Sequence, residues 1–306
     1  MRDRNFHFIH FLFLFCFAGM LASGLRAQMD PYFTAINYPV KAGSGMLMLL
    51  PDFQAARFGP DFATTMGMAE FGLTPNWSAG IMAESEKISG LPLTYGGLRF
   101  NTYYRLFHHN HGLNLTLYGE YEDLNQAALY KMEVSGFGPE DLTTPLALAR
   151  RTPARTFEQR VIVYYDWKHW NATFNFISET PLEAPYGDNF GYVWGVFHSA
   201  AMMEADPAGM GMKAMGRKSD PPEFSLRRLG YGLEMMGALG NNRQPGFYWS
   251  NEQQYLGPVF TYQLTRHWSL HLEPTLGLSG VSDPLVLRLG IQYMANHLGR
   301  DFGRLW

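Results

Sequence analysis

Apolar and polar side chains alternate with period two, in segments of about ten residues repeated along most of the chain, and this restricts the fold more than any other feature. In residues 113–123, Leu113, Leu115, Leu117 and Tyr121 alternate with Asn114, Thr116, Tyr118, Glu120 and Glu122. Near the C-terminus, Leu285, Leu287, Leu289, Ile291 and Tyr293 oppose Val286, Arg288, Gly290 and Gln292. Residues 98–107 put Arg99, Asn101 and Arg105 on a polar side, and residues 171–179 put Ala172, Phe174 and Phe176 on an apolar one. Successive side chains of a strand point to opposite faces, so each segment has one greasy face and one polar face.

After Gln28 no run of 18 or more apolar residues follows, which excludes helical membrane spans from the sequence pattern. Yet only 17% of residues are charged, against roughly 25% in an average soluble domain. A mean hydropathy of -0.17 with 15% aromatics fits strands that average a lipid face with a polar one. Twelve strands are expected, over residues 44–50, 62–73, 78–88, 96–107, 113–123, 155–167, 171–179, 190–199, 227–240, 254–264, 269–279 and 285–293. Twelve is an even number, as single-chain bacterial barrels require. Residues 44–50 lack clean alternation, and residues 190–197 are apolar on both faces.

The connections are of two kinds. Trp77, Trp170 and Trp268 each follow a tight polar turn and precede Ser or Asn and a new alternating strand. Residues 107–112 form a similar turn without the Trp. Indole rings beside short turns suit an aromatic girdle at one bilayer interface. Residues 52–61, 89–95, 125–154, 181–189 and 241–251 are longer and irregular. A soluble antiparallel sandwich also alternates on one face, but regular exchange of short turns and long loops points to a membrane barrel. The expected fold is therefore all-β, a transmembrane antiparallel β-barrel of about twelve strands with short periplasmic turns and long extracellular loops.

Residues 1–27 read as a secretory signal peptide: Arg2 and Arg4, an apolar stretch from Phe6 to Ala22, then small residues at Ser23, Gly24 and Ala27. The alternative, an uncleaved anchor, is disfavoured by the shortness of the apolar stretch. Cys16, the one cysteine, lies inside this segment, so the mature chain has no disulfide. The remaining boundaries are a periplasmic segment at 28–43, the barrel at 44–293 and a tail at 294–306. The expected location is the bacterial outer membrane. Losing Arg2, Arg4, Arg26 and Asp3 makes the chain more acidic than its full-length net charge of -3, and nothing in it suits nucleic acid.

With apolar rows facing lipid, the polar rows face the lumen. Glu70, Glu84, Glu120, Glu122, Glu234 and Glu273 would point inward with Arg99, Arg105, Arg160, Arg228 and Arg288. Such opposed charges either set a transverse field that selects solutes or form an ion-pair network that fills a narrow barrel. Ser269, His271 and Glu273 share one lumen face and have the residue types of acyl transfer. Their spacing of about 6.6 Å puts them beyond direct hydrogen-bond reach unless the side chains lean together.

Two further clusters have ligand chemistry. His108, His109 and His111 lie in a turn, where they suit a hydrated hairpin tip as well as a transition metal. Met202, Met203, Met210, Met212 and Met215 lie in a Gly- and Pro-containing segment whose thioethers suit Cu(I) or an adaptable protein contact, or form a plain mobile loop. With the N-terminus periplasmic, this long connection leaves the barrel on the side where turns should be short.

From Leu229-Gly-Tyr-Gly-Leu-Glu through Gly240, then Tyr255-Leu-Gly-Pro-Val-Phe, residues 270–277 and Leu287-Arg-Leu-Gly-Ile, the last third resembles outer-membrane transporter barrels grouped with the meta-pathway of phenol degradation. The resemblance implies an outer-membrane barrel that moves small molecules, and no catalytic residues. The leading expectation is a channel or transporter for small solutes, embedded in outer-membrane lipid, needing no cofactor. Behind it stand a non-conducting barrel that binds a periplasmic protein or a metal through residues 202–215, and a lipid-modifying barrel hydrolase.

Overall fold

Twelve long strands close into one antiparallel ring in the computed structural model, which describes residues 32–36, 39–107, 112–130, 134–135, 146–167, 169–183, 187–199, 228–265 and 267–295. They are β1 (Gly45–Ala55), β2 (Phe62–Thr74), β3 (Trp77–Ile88), β4 (Thr94–Phe107), β5 (Leu113–Asn125), β6 (Pro153–Trp167), β7 (Trp170–Pro181), β8 (Asn189–Ser199), β9 (Leu229–Asn241), β11 (Gln254–Gln263), β12 (Trp268–Gly277) and β13 (Leu285–Ala295). The two-residue β10 (Gln244–Pro245) only folds back on the end of β9. Each strand pairs with its neighbours in sequence, and β1 with β13 closes the ring. Closure removes the unpaired edges that hydrocarbon would not tolerate.

Burial follows the alternation. On β5, Asn114, Thr116, Tyr118 and Glu120 are buried, while Leu113 and Leu117 are exposed. Phe174 and Phe176 on β7, Leu270 and Leu272 on β12 and Ile81 on β3 also face outward. Exposed apolar side chains all around the wall are the lipid face of a membrane barrel.

All twelve expected strands form. The largest difference lies in β1, which runs five residues past its expected end at Leu50 because Pro51 does not terminate it. Pro51 keeps its place in the ladder with β2, opposite Thr65, while the ladder with β13 skips it. β8 also forms despite its apolar inner face, and the interior of the barrel explains why.

The ends of the barrel differ. Thr74 to Trp77, Trp167 to Trp170 and Gln263 to Trp268 are short turns at one end, which also holds the start of β1 and the end of β13. Trp77 and Trp170 are exposed there, with Trp167 opposite Trp170, and Trp268 is half-buried against Tyr293. The longer connections gather at the other end, where Phe62, Ile88, Ala127 and Ala149 form a small buried cluster under the β5–β6 connection. β8 ends and β9 begins at the turn end, so the residues flanking the Met-rich stretch emerge there, opposite the β5–β6 connection. Met202, Met203, Met210, Met212, Met215, His108, His109 and His111, the expected segment 1–27 and residues 296–306 of the expected tail 294–306 lie outside the described residues, while Met294 and Ala295 belong to β13 rather than to a tail.

Candidate functional site

The lumen is occupied by the chain's own N-terminal segment. Residues 32–36, which fall in the stretch expected to stand before the barrel, cross its interior. Phe33, Thr34 and Ala35 aim three successive backbone amides at the carboxylate of Glu234 on β9, Phe33 at 3.2 Å and Thr34 at 2.8 Å. Such a run of amides is an anion nest, filled here by a wall residue. Ile36 donates its amide to Asn175 Oδ1 at 2.7 Å and accepts from Asn175 Nδ2 and Thr173 Oγ1. Tyr32 donates to Asn171 Oδ1 at 2.9 Å. The strap then returns to the wall at Glu70, which accepts from the Val40 amide and from Ser78 Oγ. Gly72 makes the return path: a Cβ there would stand 2.0 Å from the Lys41 carbonyl oxygen.

Apolar contacts complete the fit. Tyr32 and Ala35 join Ile177, Val193, Phe197, Met236, Tyr255, Val259 and Val286 in one buried cluster, with the Tyr32 ring edge-on to Phe197. This is why β8 is apolar on both faces: its outer residues meet lipid and its inner ones meet the strap. Val134 and Ser135 of the β5–β6 connection reach the same cluster from the loop end, where Ser135 bridges Gly191 and bonds Glu179.

The charged residues of the polar rows are arranged in groups. On one wall Arg99 reaches Glu84 at 2.9 Å, Glu120 at 3.1 Å and Glu122, while Tyr118 donates to Glu120. Arg160 holds Glu158 through two bonds, lies over the Tyr118 ring, and donates through Nη1 to the Thr34 carbonyl at 2.6 Å. Arg288 pairs with Asp52 and Glu273, each at 3.5 Å, lies over the Phe33 ring and donates to Thr34 Oγ1. β6 and β13 stand opposite each other in the ring, so Thr34 ties two facing walls together.

Arg105 points the same way as Arg99, nearer the turn end of β4. Arg228 stands one residue before β9, at the turn-end rim, and donates to the Leu264 carbonyl at 3.1 Å. Sequence reasoning passed over Asp52, because Pro51 read as a strand end, and over Glu158, which shares the inward parity of Arg160. It also passed over the strap, whose signal was the run Tyr32-Phe33-Thr34-Ala35-Ile36, greasy for a periplasmic spacer.

Ser269 and His271 do lean together: Ser269 Oγ lies 2.8 Å from His271 Nε2. Glu273 is engaged elsewhere, accepting from Thr275 Oγ1 at 3.0 Å and pairing with Arg288. Ser269 is 1% exposed and His271 3%, with Phe33 of the strap packed edge-on to the imidazole, so the pair is closed off from solvent in this state. Among the described residues no group of three or more His, Cys, Asp or Glu is placed to hold a metal ion.

No family model matches the sequence. No curated protein matches it either. Solved structures do. A COG4313 outer membrane channel from Pseudomonas putida F1 aligns over 88% of this chain and 99% of its own, with TM-score 0.52 and 12% identity. The KdgM porin in complex with disordered oligogalacturonate aligns over 81% and 98%, with TM-score 0.47 and 7% identity. LpxR from Salmonella typhimurium aligns over 82% and 99%, with TM-score 0.39 and 10% identity. At these identities the likeness is one of fold, and the fold is that of an outer-membrane β-barrel.

Proposed function

We propose that this protein is an outer-membrane channel for small solutes, closed in the present state by its N-terminal strap. The observation that carries this reading is the charged interior. A barrel that had only to be filled would be as stable, or more so, with apolar side chains in place of buried ion pairs. Here Arg99, Arg160 and Arg288 with their carboxylates form a polar lining inside an apolar wall, and the strap rests on that lining. The resemblance of the last third to transporters of the phenol meta-pathway group and the channels among the structural relatives support the same reading. The turn end would face the periplasm, with lipid around the wall and a small solute inside it. The test is conductance of the full-length chain in planar bilayers: brief openings are expected, and a barrel that never opens overturns the proposal.

The Ser269–His271 hydrogen bond favours a second reading, an acyl hydrolase. A serine-directed fluorophosphonate decides it. The channel reading expects no labelling of Ser269; labelling that disappears in Ser269→Ala would favour the hydrolase.

A further inference from the structure

Glu234 differs from the other inward carboxylates in what holds it. Glu84, Glu120 and Glu122 lie on Arg99, Glu158 on Arg160, and Asp52 and Glu273 on Arg288, so each has a guanidinium of the wall beside it. Glu70 meets the N-terminal segment at Val40 but also keeps Ser78 Oγ of its own wall. Glu234 is 0% exposed, and among the described residues its hydrogen bonds come from the strap alone, from the amides of Phe33, Thr34 and Ala35. Among those residues no guanidinium or ammonium stands at ion-pair distance from it.

When the strap leaves, as the channel reading requires, Glu234 therefore loses every one of these partners. A carboxylate without compensation is costly away from bulk water. The wall has little to offer it, since Arg99 already serves three carboxylates and Arg288 two. An occupant that restores the lost bonds has to bring N–H donors. One that also brings a positive charge makes them charge-assisted on both sides, and stronger than those of the neutral amides.

The surroundings of Glu234 set the rest of the occupant. In both of its ladders it stands opposite a glycine, Gly195 on β8 and Gly257 on β11. Directly opposed residues share a face, so neither neighbour puts a side chain beside the carboxylate. The space over Gly195 is taken by the strap, whose Tyr32 Cε1 lies 2.3 Å from where a Cβ would stand. Around it Val193, Phe197, Met236, Tyr255 and Val259 are buried in one apolar cluster with Tyr32 and Ala35. The strap thus fills an apolar hollow that has a single carboxylate at its floor. A primary ammonium carries three N–H donors on one nitrogen, as many as the strap now supplies, and an attached hydrocarbon gains by burial against the apolar lining.

On the channel reading, we propose that Glu234 is the binding site of the solute, and that the solute is a small primary ammonium with an apolar body. It takes the place of the amides of residues 33–35 and so competes with the strap that closes the lumen. The solute then shifts the barrel toward its open state, by as much as it binds the strap-free form more tightly than the closed one.

The test uses the full-length chain with n-butylammonium, and with 1-butanol and butanoate as its neutral and anionic counterparts. Binding is read by calorimetry in detergent and gating by channel openings in planar bilayers, both at neutral pH. Butylammonium is expected to bind and to make openings more frequent. 1-Butanol is expected to bind at least about tenfold more weakly, as the loss of a hydrogen bond to a charged group implies, and butanoate not at all. Glu234→Gln should abolish the response to butylammonium. Ala35→Pro, which removes one strap donor and leaves the carboxylate in place, should strengthen it. The three probes compared on the wild type carry the test if neither variant folds. No binding of butylammonium, binding equal to that of 1-butanol, or wild-type binding in Glu234→Gln overturns the ammonium site and leaves the channel standing wherever ions still pass. A wild type that passes no ions with or without butylammonium overturns the channel reading and the assignment of its solute with it.

Discussion

Arg99 shows what single residues contribute to this lumen. Its guanidinium serves three carboxylates from two neighbouring strands, Glu84, Glu120 and Glu122, in a setting where it is 14% exposed. Removing one partner of a buried ion pair costs about 3–5 kcal/mol, because the other charges stay buried without compensation. Arg99→Leu should therefore lower the urea midpoint of the folded barrel substantially, read from the heat-resistant band on a gel. Arg99→Lys should recover only part of the loss, since one ammonium cannot present a planar fork to three acceptors. Parity along β3, β4 and β5 already put Arg99 and its carboxylates on one face. Their grouping needed the register, Arg99 opposite Glu122 and one step from Glu120.

At the scale of elements, the strands were legible because each carries its own signal: alternation within the strand and a Trp or polar turn at its end. Loops have no such period, and their contacts are decided by what they meet. The connection between β12 and β13 is an example. Asp283 accepts from Gln54 Nε2 and from the Arg57 amide, each at 2.7 Å, and from Tyr255, so one loop carboxylate pins the loop ends of β1 and β11 to the β12–β13 connection. Burial raises its pKa above the ordinary 3.8, against the hydrogen bonds that lower it. A carboxylate whose folded pKa is raised binds more protons folded than unfolded, so stability falls as pH rises through the interval from 3.8 to the raised value. Hydrogen-exchange protection at residues 54–57, taken relative to the intrinsic rate at each pH, should rise on acidification through that interval, and Asp283→Asn should abolish the rise. An unchanged pH response in the variant would assign it to another group, such as Glu252, which burial also raises.

At the scale of the whole molecule, the strap makes the interior continuous. Arg160 and Arg288 approach Thr34 from opposite walls, Glu234 closes on the strap amides, and Tyr32 fills the hollow over β8. Gly195 leaves room for that ring: a Cβ there would stand 2.3 Å from Tyr32 Cε1. Gly195→Ala should displace the strap without changing any lumen charge, and single-channel recordings should show longer openings than the wild type. Recordings indistinguishable from the wild type would mean that the strap does not limit conduction.

The amino-acid sequence alone determined the wall: twelve strands, which face of each meets lipid, and where the short turns lie. That information is local, since strand geometry turns every second residue to the same side and needs no knowledge of distant partners. The tertiary structure decided the interior. Residues 32–36 meet Asn171, Asn175 and Glu234 across 139 or more positions of chain. Contacts of that kind exist only once the ring has closed, which is why the occupied lumen could not be read from the pattern of any one segment.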